Sequence, residues 1–393
     1  MPNPADIALR KAAAGGELSA DDAYALTHLD DAGLDALCEV ASGLRDRFHP
    51  RVLTYSPKVF LPVTNLCRDR CTYCTFRRDP DDAGAWTMSP DEIGEWSRRG
   101  RDVGCTEALM CLGDKPEVAF RGFQRVLEGY GVGTTAQYVG KACEIALAEG
   151  LLPHTNAGLL SREEMAALRP VNVSMGLMLE NVSPRLRDRG MPHQFAPDKE
   201  PALRVQMIAE AGELRIPFTT GILCGIGEHA AERVASLLAI RDLHAKHGHI
   251  QEVIVQNFRA KQATVMAKAP ELTDDEMVRT VALARLILGG AMNLQAPPNL
   301  SPAAHAQLIR AGINDWGGIS PLTMDYVNPE APWPHVVQLG ETCKAEGFDL
   351  RPRLPIYPEY VDDEFVDPAM RAVIERATDE TAGRNESAGA MTG

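Results

Sequence analysis

Between about residue 58 and residue 347, short β-branched or apolar runs alternate with longer segments whose apolar residues recur at helical spacing. A parallel sheet with crossover helices requires that alternation, because each strand must be followed by an element that returns the chain to the same end of the sheet. Eight candidate strands fall at residues 59–64, 107–112, 152–156, 171–177, 218–224, 252–258, 292–296 and 313–319. Two of the intervening helix starts are marked by capping boxes, Ser161 with Glu164 and Thr273 with Glu276, in which a hydroxyl and a carboxylate satisfy otherwise unpaired amides. Eight strand-helix units predict an α/β (βα)8 TIM-like barrel, whose chemistry sits on the loops leaving the C-terminal strand ends. The rival is an open doubly wound sheet. Its dinucleotide-binding form is disfavoured because no G-x-G-x-x-G follows the first strand, and Gly131-Val132-Gly133 lies between helical segments.

Residues 1–50 read as a helical extension packed on the barrel, with Ser19-Ala20-Asp21-Asp22 opening one helix; the barrel spans 51–366. Residues 367–393 are polar and charged, and are expected to form a mobile tail. Forty Lys and Arg against 54 Asp and Glu leave a formal charge of -14, which disfavours binding to nucleic acid or to anionic membrane surfaces. Apolar runs such as residues 281–288 fall far short of the roughly 18 residues a membrane-spanning helix needs. Nine cysteines are an odd number in a chain with no evident secretion signal, so a disulfide framework is not expected and the cytoplasm is the expected compartment. Six of them, Cys38, Cys105, Cys111, Cys143, Cys224 and Cys343, are scattered among apolar neighbours and read as small core residues.

The other three stand together. Cys67, Cys71 and Cys74 form a C-x3-C-x2-C loop directly after the first candidate strand. Structural zinc wants four protein ligands, and no further Cys or His lies close by, His49 being the nearest in sequence. A 4Fe-4S cluster held by three thiolates keeps one iron open for an outside ligand. A zinc site completed by a distant fourth ligand is the alternative.

C-x3-C-x2-C with an aromatic residue, Tyr73, before the last cysteine resembles the signature of the radical S-adenosylmethionine (SAM) enzymes. The resemblance implies a full or partial barrel with a 4Fe-4S cluster on Cys67, Cys71 and Cys74, whose open iron chelates SAM and whose electron cleaves it to methionine and a 5'-deoxyadenosyl radical. It also implies SAM contacts from Tyr73, from Gly113 and Asp114 in the place of the family's glycine-acid motif, and from Ser174, Glu180 and Arg185 after strand four. Gly225 and Ile226, in a segment resembling G-x-I-x-G-x-x-E, would lie against the adenine. This chain has Asp114 where many members carry Glu.

Across nearly the whole barrel the sequence is similar to the deazaflavin (FO) synthases of coenzyme F420 biosynthesis, most of all to their CofG-type branch. The residues that carry this are Tyr55-Ser56-Pro57-Lys58-Val59-Phe60-Leu61-Pro62, Val255-Gln256-Asn257-Phe258-Arg259-Ala260-Lys261, Leu294-Gln295-Ala296-Pro297-Pro298-Asn299 and Gly312-Ile313-Asn314-Asp315-Trp316-Gly317-Gly318-Ile319-Ser320-Pro321. What the resemblance implies is a lyase that takes a hydroxybenzyl-ribityliminouracil adduct from a CofH-type partner, abstracts hydrogen with the deoxyadenosyl radical, closes the third ring and releases ammonium. A reducing electron donor is a further implied partner, and one C-x3-C-x2-C suggests a stand-alone subunit.

Gln256, Asn257, Asn293, Gln295, Asn299, Asn314 and Asp315 are the expected partners of the ribityl and uracil groups. Asp315 is also the expected proton acceptor, and His154 a second acid-base candidate. Competing assignments are a CofH-type enzyme using free tyrosine, a menaquinone-pathway relative on the same barrel, and a zinc-stabilised binding protein.

Overall fold

The computed structural model describes residues 3–390, with side chains through residue 381. Nine parallel strands form one sheet: β1 Val52–Leu61, β2 Glu107–Cys111, β3 Leu152–Asn156, β4 Ser174–Gly176, β5 Phe218–Cys224, β6 Ile250–Asn257, β7 Leu294–Gln295, β8 Asp315–Ile319 and β9 Asp349–Pro352. Neighbours pair in chain order from β2 to β8, and β1 pairs with both β8 and β2, which closes an eight-stranded barrel. β1 therefore begins well before the expected residue 59, and β4 and β7 are shorter than expected.

β9 is an addition the sequence reading lacked. Ten-residue β1 is long enough to pair Val52–Tyr55 with β9 and residues 58–61 with β2. Alternation then sorts its side chains. Ser56, Lys58 and Phe60 face the barrel interior, while Val59 packs outward so tightly against the helix Pro90–Asp102 that a Cβ at Gly100 would lie 2.9 Å away.

The N-terminal extension consists of helices Pro4–Ala13, Ala20–Leu26 and Leu34–Asp46, packed on the barrel helices Ala230–His247 and Asp274–Leu288. Ala8, Ala12, Leu26, Leu37 and Ala41 join the main core, and buried Arg45 donates to the carbonyls of Ile309 and Ile313. Such alanine-rich faces bring helices close without large side chains between them.

Beyond β9 the chain turns under the barrel. Pro355 O accepts from Ser174 Oγ at 2.6 Å and Gln251 Nε2 at 3.2 Å, and Tyr360 Oη donates to Ile250 O at 2.8 Å. Ile356, Tyr357, Phe365, Val366, Met370 and Ile374 bury themselves against Leu152 and Val173 beside the N-terminal strand ends. The expected tail from residue 367 thus starts as packed structure. Its helix, Arg371–Ala390, uses Met370 and Ile374, one turn apart, as anchors that average polarity concealed; residues 391–393 lie outside the described residues. Among the described residues no helix is long and apolar enough to cross a membrane.

Candidate active site

With its floor closed, the barrel opens at the other end into a cavity of about 340 Å³ whose wall includes Cys67, Cys71 and Cys74. The cysteine loop is clamped from two sides. Asn65 fixes its start by donating to Gly84 O and accepting from Trp86 N, each at 2.8 Å. Arg68 N donates to Asp114 O, Arg70 N to Phe195 O and Thr72 N to Pro192 O. Gly113 sits where a Cβ would come within 2.2 Å of Leu66 O and 2.6 Å of the Cys67 Cβ. Only glycine permits that approach. Gly113→Ala is therefore expected to displace the cysteine loop and to lower bound iron and sulfide severalfold with the barrel still folded; chemical iron analysis beside circular dichroism checks it, and unchanged iron would remove this role.

The three thiols are free, and burial pushes Cys67 up to about 12 and raises Cys71 as well. Asp114 N donates to Cys67 Sγ at 3.2 Å, the kind of contact that tunes a metal-bound sulfur. Close beside them, ligand atoms of Asp69, Asp114 and Asp198 lie within 4.8 Å of one another. Three thiols on one cavity wall are a donor set that fits a 4Fe-4S cluster with one iron left open.

That acidic trio adjoins the cysteines. Arg68 forks onto Asp198, with Nε–Oδ2 at 2.6 Å, while Asp114 Oδ2 accepts from Leu159 N at 3.2 Å and its buried Oδ1 has no donor. Burial, with Asp198 alongside, raises the Asp114 carboxyl well above the usual range. An orphaned buried carboxyl oxygen next to two further carboxylates fits an incoming ammonium such as that of SAM methionine. Across the cavity, Glu180 is ion-paired with Lys199, and Arg204 lies at 3.9 Å. Burial alone would raise Glu180, but Lys199 and Arg204 hold it below its ordinary value. Tyr73 Oη meets His193 Nε2 at 2.9 Å, and burial lowers that histidine to about 3.

The structure thus brings Tyr73, Gly113, Asp114, His154, Glu180, Gln256, Gln295 and Asn299 to the cavity wall together with the three cysteines. It does not bring the others. Ser174 is held below by His154 and Pro355, and Arg185 turns outward to Glu232 at 2.6 Å. Gly225 and Ile226 donate their amides to Glu228, and Ile226 packs behind Tyr73. Asn257 Nδ2 donates to Leu300 O, and Asn293 and Asn314 bond one another at the strand starts, where Asn314 also receives Arg285. Asp315 is fully buried and forked by Arg353, with Nε–Oδ2 at 2.6 Å and Nη2–Oδ1 at 2.9 Å. The physical reason is common to Asn293, Asn314 and Asp315: β7 and β8 begin at residues 294 and 315, so these side chains belong to the closed end of the barrel.

Sequence reasoning missed Lys58, Glu107, Thr219, Glu252, Lys199, Arg204, Asp325, Trp333 and Arg353, all on the cavity wall. Period-two alternation through β1 and β6 would have found Lys58 and Glu252, since Ile254 and Gln256 continue the same face. Nothing local marks Arg353, which enters from below.

The profile of the Radical SAM superfamily matches residues 61–240. The 7,8-didemethyl-8-hydroxy-5-deazariboflavin synthase of Methanopyrus kandleri is 46% identical over 330 residues, covering 84% of this chain and 98% of that protein. The chain belongs to the deazariboflavin (FO) synthase family. The FO synthase of Streptomyces coelicolor is 46% identical over 390 residues, 96% of this chain but 45% of its own length, so the chain spans about half of that longer relative. Among solved structures, the FeFe-hydrogenase maturase HydG of Carboxydothermus hydrogenoformans superposes with a TM-score of 0.69 at 19% identity, covering 93% of this chain and 80% of that one. That likeness concerns the fold.

Proposed function

We propose that this chain catalyses the ring-closing half of FO formation: 5-amino-5-(4-hydroxybenzyl)-6-(D-ribitylimino)-5,6-dihydrouracil is converted to 7,8-didemethyl-8-hydroxy-5-deazariboflavin with release of ammonium. The observation that carries the reading is one cavity lined both by the three cysteines with Asp114 and, deeper in the barrel, by Thr219, Glu252, Gln256 and Gln295. Cys67, Cys71 and Cys74 would hold a 4Fe-4S cluster, which with SAM would supply the hydrogen-abstracting 5'-deoxyadenosyl radical.

The chain's own residues do the rest. Asp114 accepts from the SAM ammonium. Gln256 and Gln295 offer neutral donors and acceptors to the uracil and ribityl groups. His154 Nδ1 is hydrogen-bonded with Ser174 Oγ at 2.7 Å, and burial lowers the imidazole to about 4, so it serves as a neutral hydrogen-bond partner. Glu252, raised to about 7 by burial and lining the cavity, is matched to accept a proton near neutral pH, and it shares Arg353 with Asp315. A CofH-type enzyme supplies the adduct, a low-potential donor supplies the electron, and the reaction runs in the cytoplasm, where thiols are kept reduced.

The test is anaerobic reconstitution with iron and sulfide, followed by SAM, reductant and adduct made by a CofH-type enzyme, with FO read by mass and fluorescence. FO formed only when this chain is present is the expected result. Deoxyadenosine without FO, or deoxyadenosine driven by free tyrosine, would overturn it.

A further inference from the structure

Five cationic side chains line the cavity, and four of them are engaged: Arg77 with Asp79, Lys199 with Glu180, Arg353 with Asp315 and Glu252, and Arg204 with Met178 O and Asp198 O. The fifth, Lys58, has no hydrogen-bond acceptor and no carboxylate partner among the described residues. Its ammonium lies 5.0 Å from the Trp333 ring centroid and 5.7 Å from that of Phe60. The nearby acids are committed elsewhere. Glu107 accepts from Ser56, and Asp325 from Asn299 and Asn328. Opposite stands Gly318, where a Cβ would fall 2.3 Å from Lys58 Cδ and 2.6 Å from Nζ. The bare glycine keeps a slot for this side chain.

A cation left unpaired in a partly desolvated, aromatic-walled cavity is suited to an oxygen that carries or develops negative charge, borne on a flat ring that fits between the walls. We propose that Lys58 positions the hydroxybenzyl ring of the substrate by donating from Nζ to its phenolic oxygen. The inference rests on the ring-closing reading of the cavity and adds an orientation to it: phenol toward Lys58, Phe60 and Trp333, uracil and ribityl toward β5, β6 and β7. In the fused product that hydroxyl is conjugated with the pyrimidine carbonyls, so its anion is delocalised. An ammonium at hydrogen-bond distance favours the ionised form.

FO itself is the probe, because its absorbance reports ionisation of the hydroxyl. Bound to the reconstituted wild-type protein, FO is expected to ionise at least about one pH unit below free FO, a tenfold shift in the equilibrium. Lys58→Met should remove that shift and Lys58→Arg should keep most of it. Gly318→Ala should reproduce the loss from the opposite wall by pushing Lys58 aside, with iron content retained in each variant. An unshifted ionisation in the wild type, an equal shift in Lys58→Met, or no binding of FO would overturn the proposal. Failure of the ring-closing reading is seen separately, as absence of FO from adduct with wild-type protein.

Discussion

Cys71→Ala is expected to yield a folded protein that holds little or no cluster and cleaves SAM more than about 100-fold more slowly, since losing a direct ligand exceeds the 10–100-fold typical of second-shell changes. Cys71 lies on the cavity wall, in a loop clamped by backbone hydrogen bonds from Arg70 and Thr72, so the backbone holds its shape without the sulfur. Cys224→Ala provides the contrast. That thiol is fully buried in the main core and absent from the cavity wall, so its loss should cost packing and leave iron content intact. Iron and sulfide analysis with deoxyadenosine chromatography on both variants decides the matter. Normal cleavage in Cys71→Ala, or cluster loss in Cys224→Ala, would reverse the ligand assignment.

The contrast between those cysteines could be drawn from the sequence because the chemistry is local. Three thiols in eight residues, and the capping boxes at Ser161 and Thr273, need only neighbours in the chain, and both capped helices begin where expected. Barrel closure was legible for a related reason, since each strand-helix unit announces itself in composition. What escaped was set by contacts distant in sequence. β9 pairs with the lower half of β1 across nearly three hundred residues, and its sequence, Asp-Leu-Arg-Pro, carries no strand signature. Asn293, Asn314 and Asp315 are polar residues of the β7 and β8 segments, but they stand at the strand starts, and local polarity does not distinguish the closed end of a barrel from the open one. Arg185, expected to fork onto a carboxylate of SAM, forks instead onto Glu232 of a different helix, which turns it outward.

The largest stability effect is expected from the residue that sequence reasoning could least see. Arg353 places its guanidinium inside the barrel floor, donating to both oxygens of Asp315 and, at 2.7 Å, to Glu252. Asp315 is fully buried and Glu252 nearly so, with Tyr357 Oη bonding Glu252 at 3.1 Å. Arg353→Met would leave two carboxyl groups in low dielectric without their counter-ion, and removing one partner of a buried ion pair costs about 3–5 kcal/mol. The pH dependence has a definite sign. Burial raises Glu252 from 4.5 to about 7 in the folded chain, so the folded state binds this proton more tightly than the unfolded one. Its contribution is fully present below pH 4.5 and is lost as pH rises through about 7. The wild type should therefore lose stability across that window, Glu252→Gln should flatten the profile, and the penalty of Arg353→Met should shrink as acid neutralises the stranded carboxylates. Denaturant unfolding of the three proteins at several pH values measures all of this. A penalty below about 1 kcal/mol that ignores pH is what an exposed pair would give, and it would mean that the floor of this barrel is not held by Arg353.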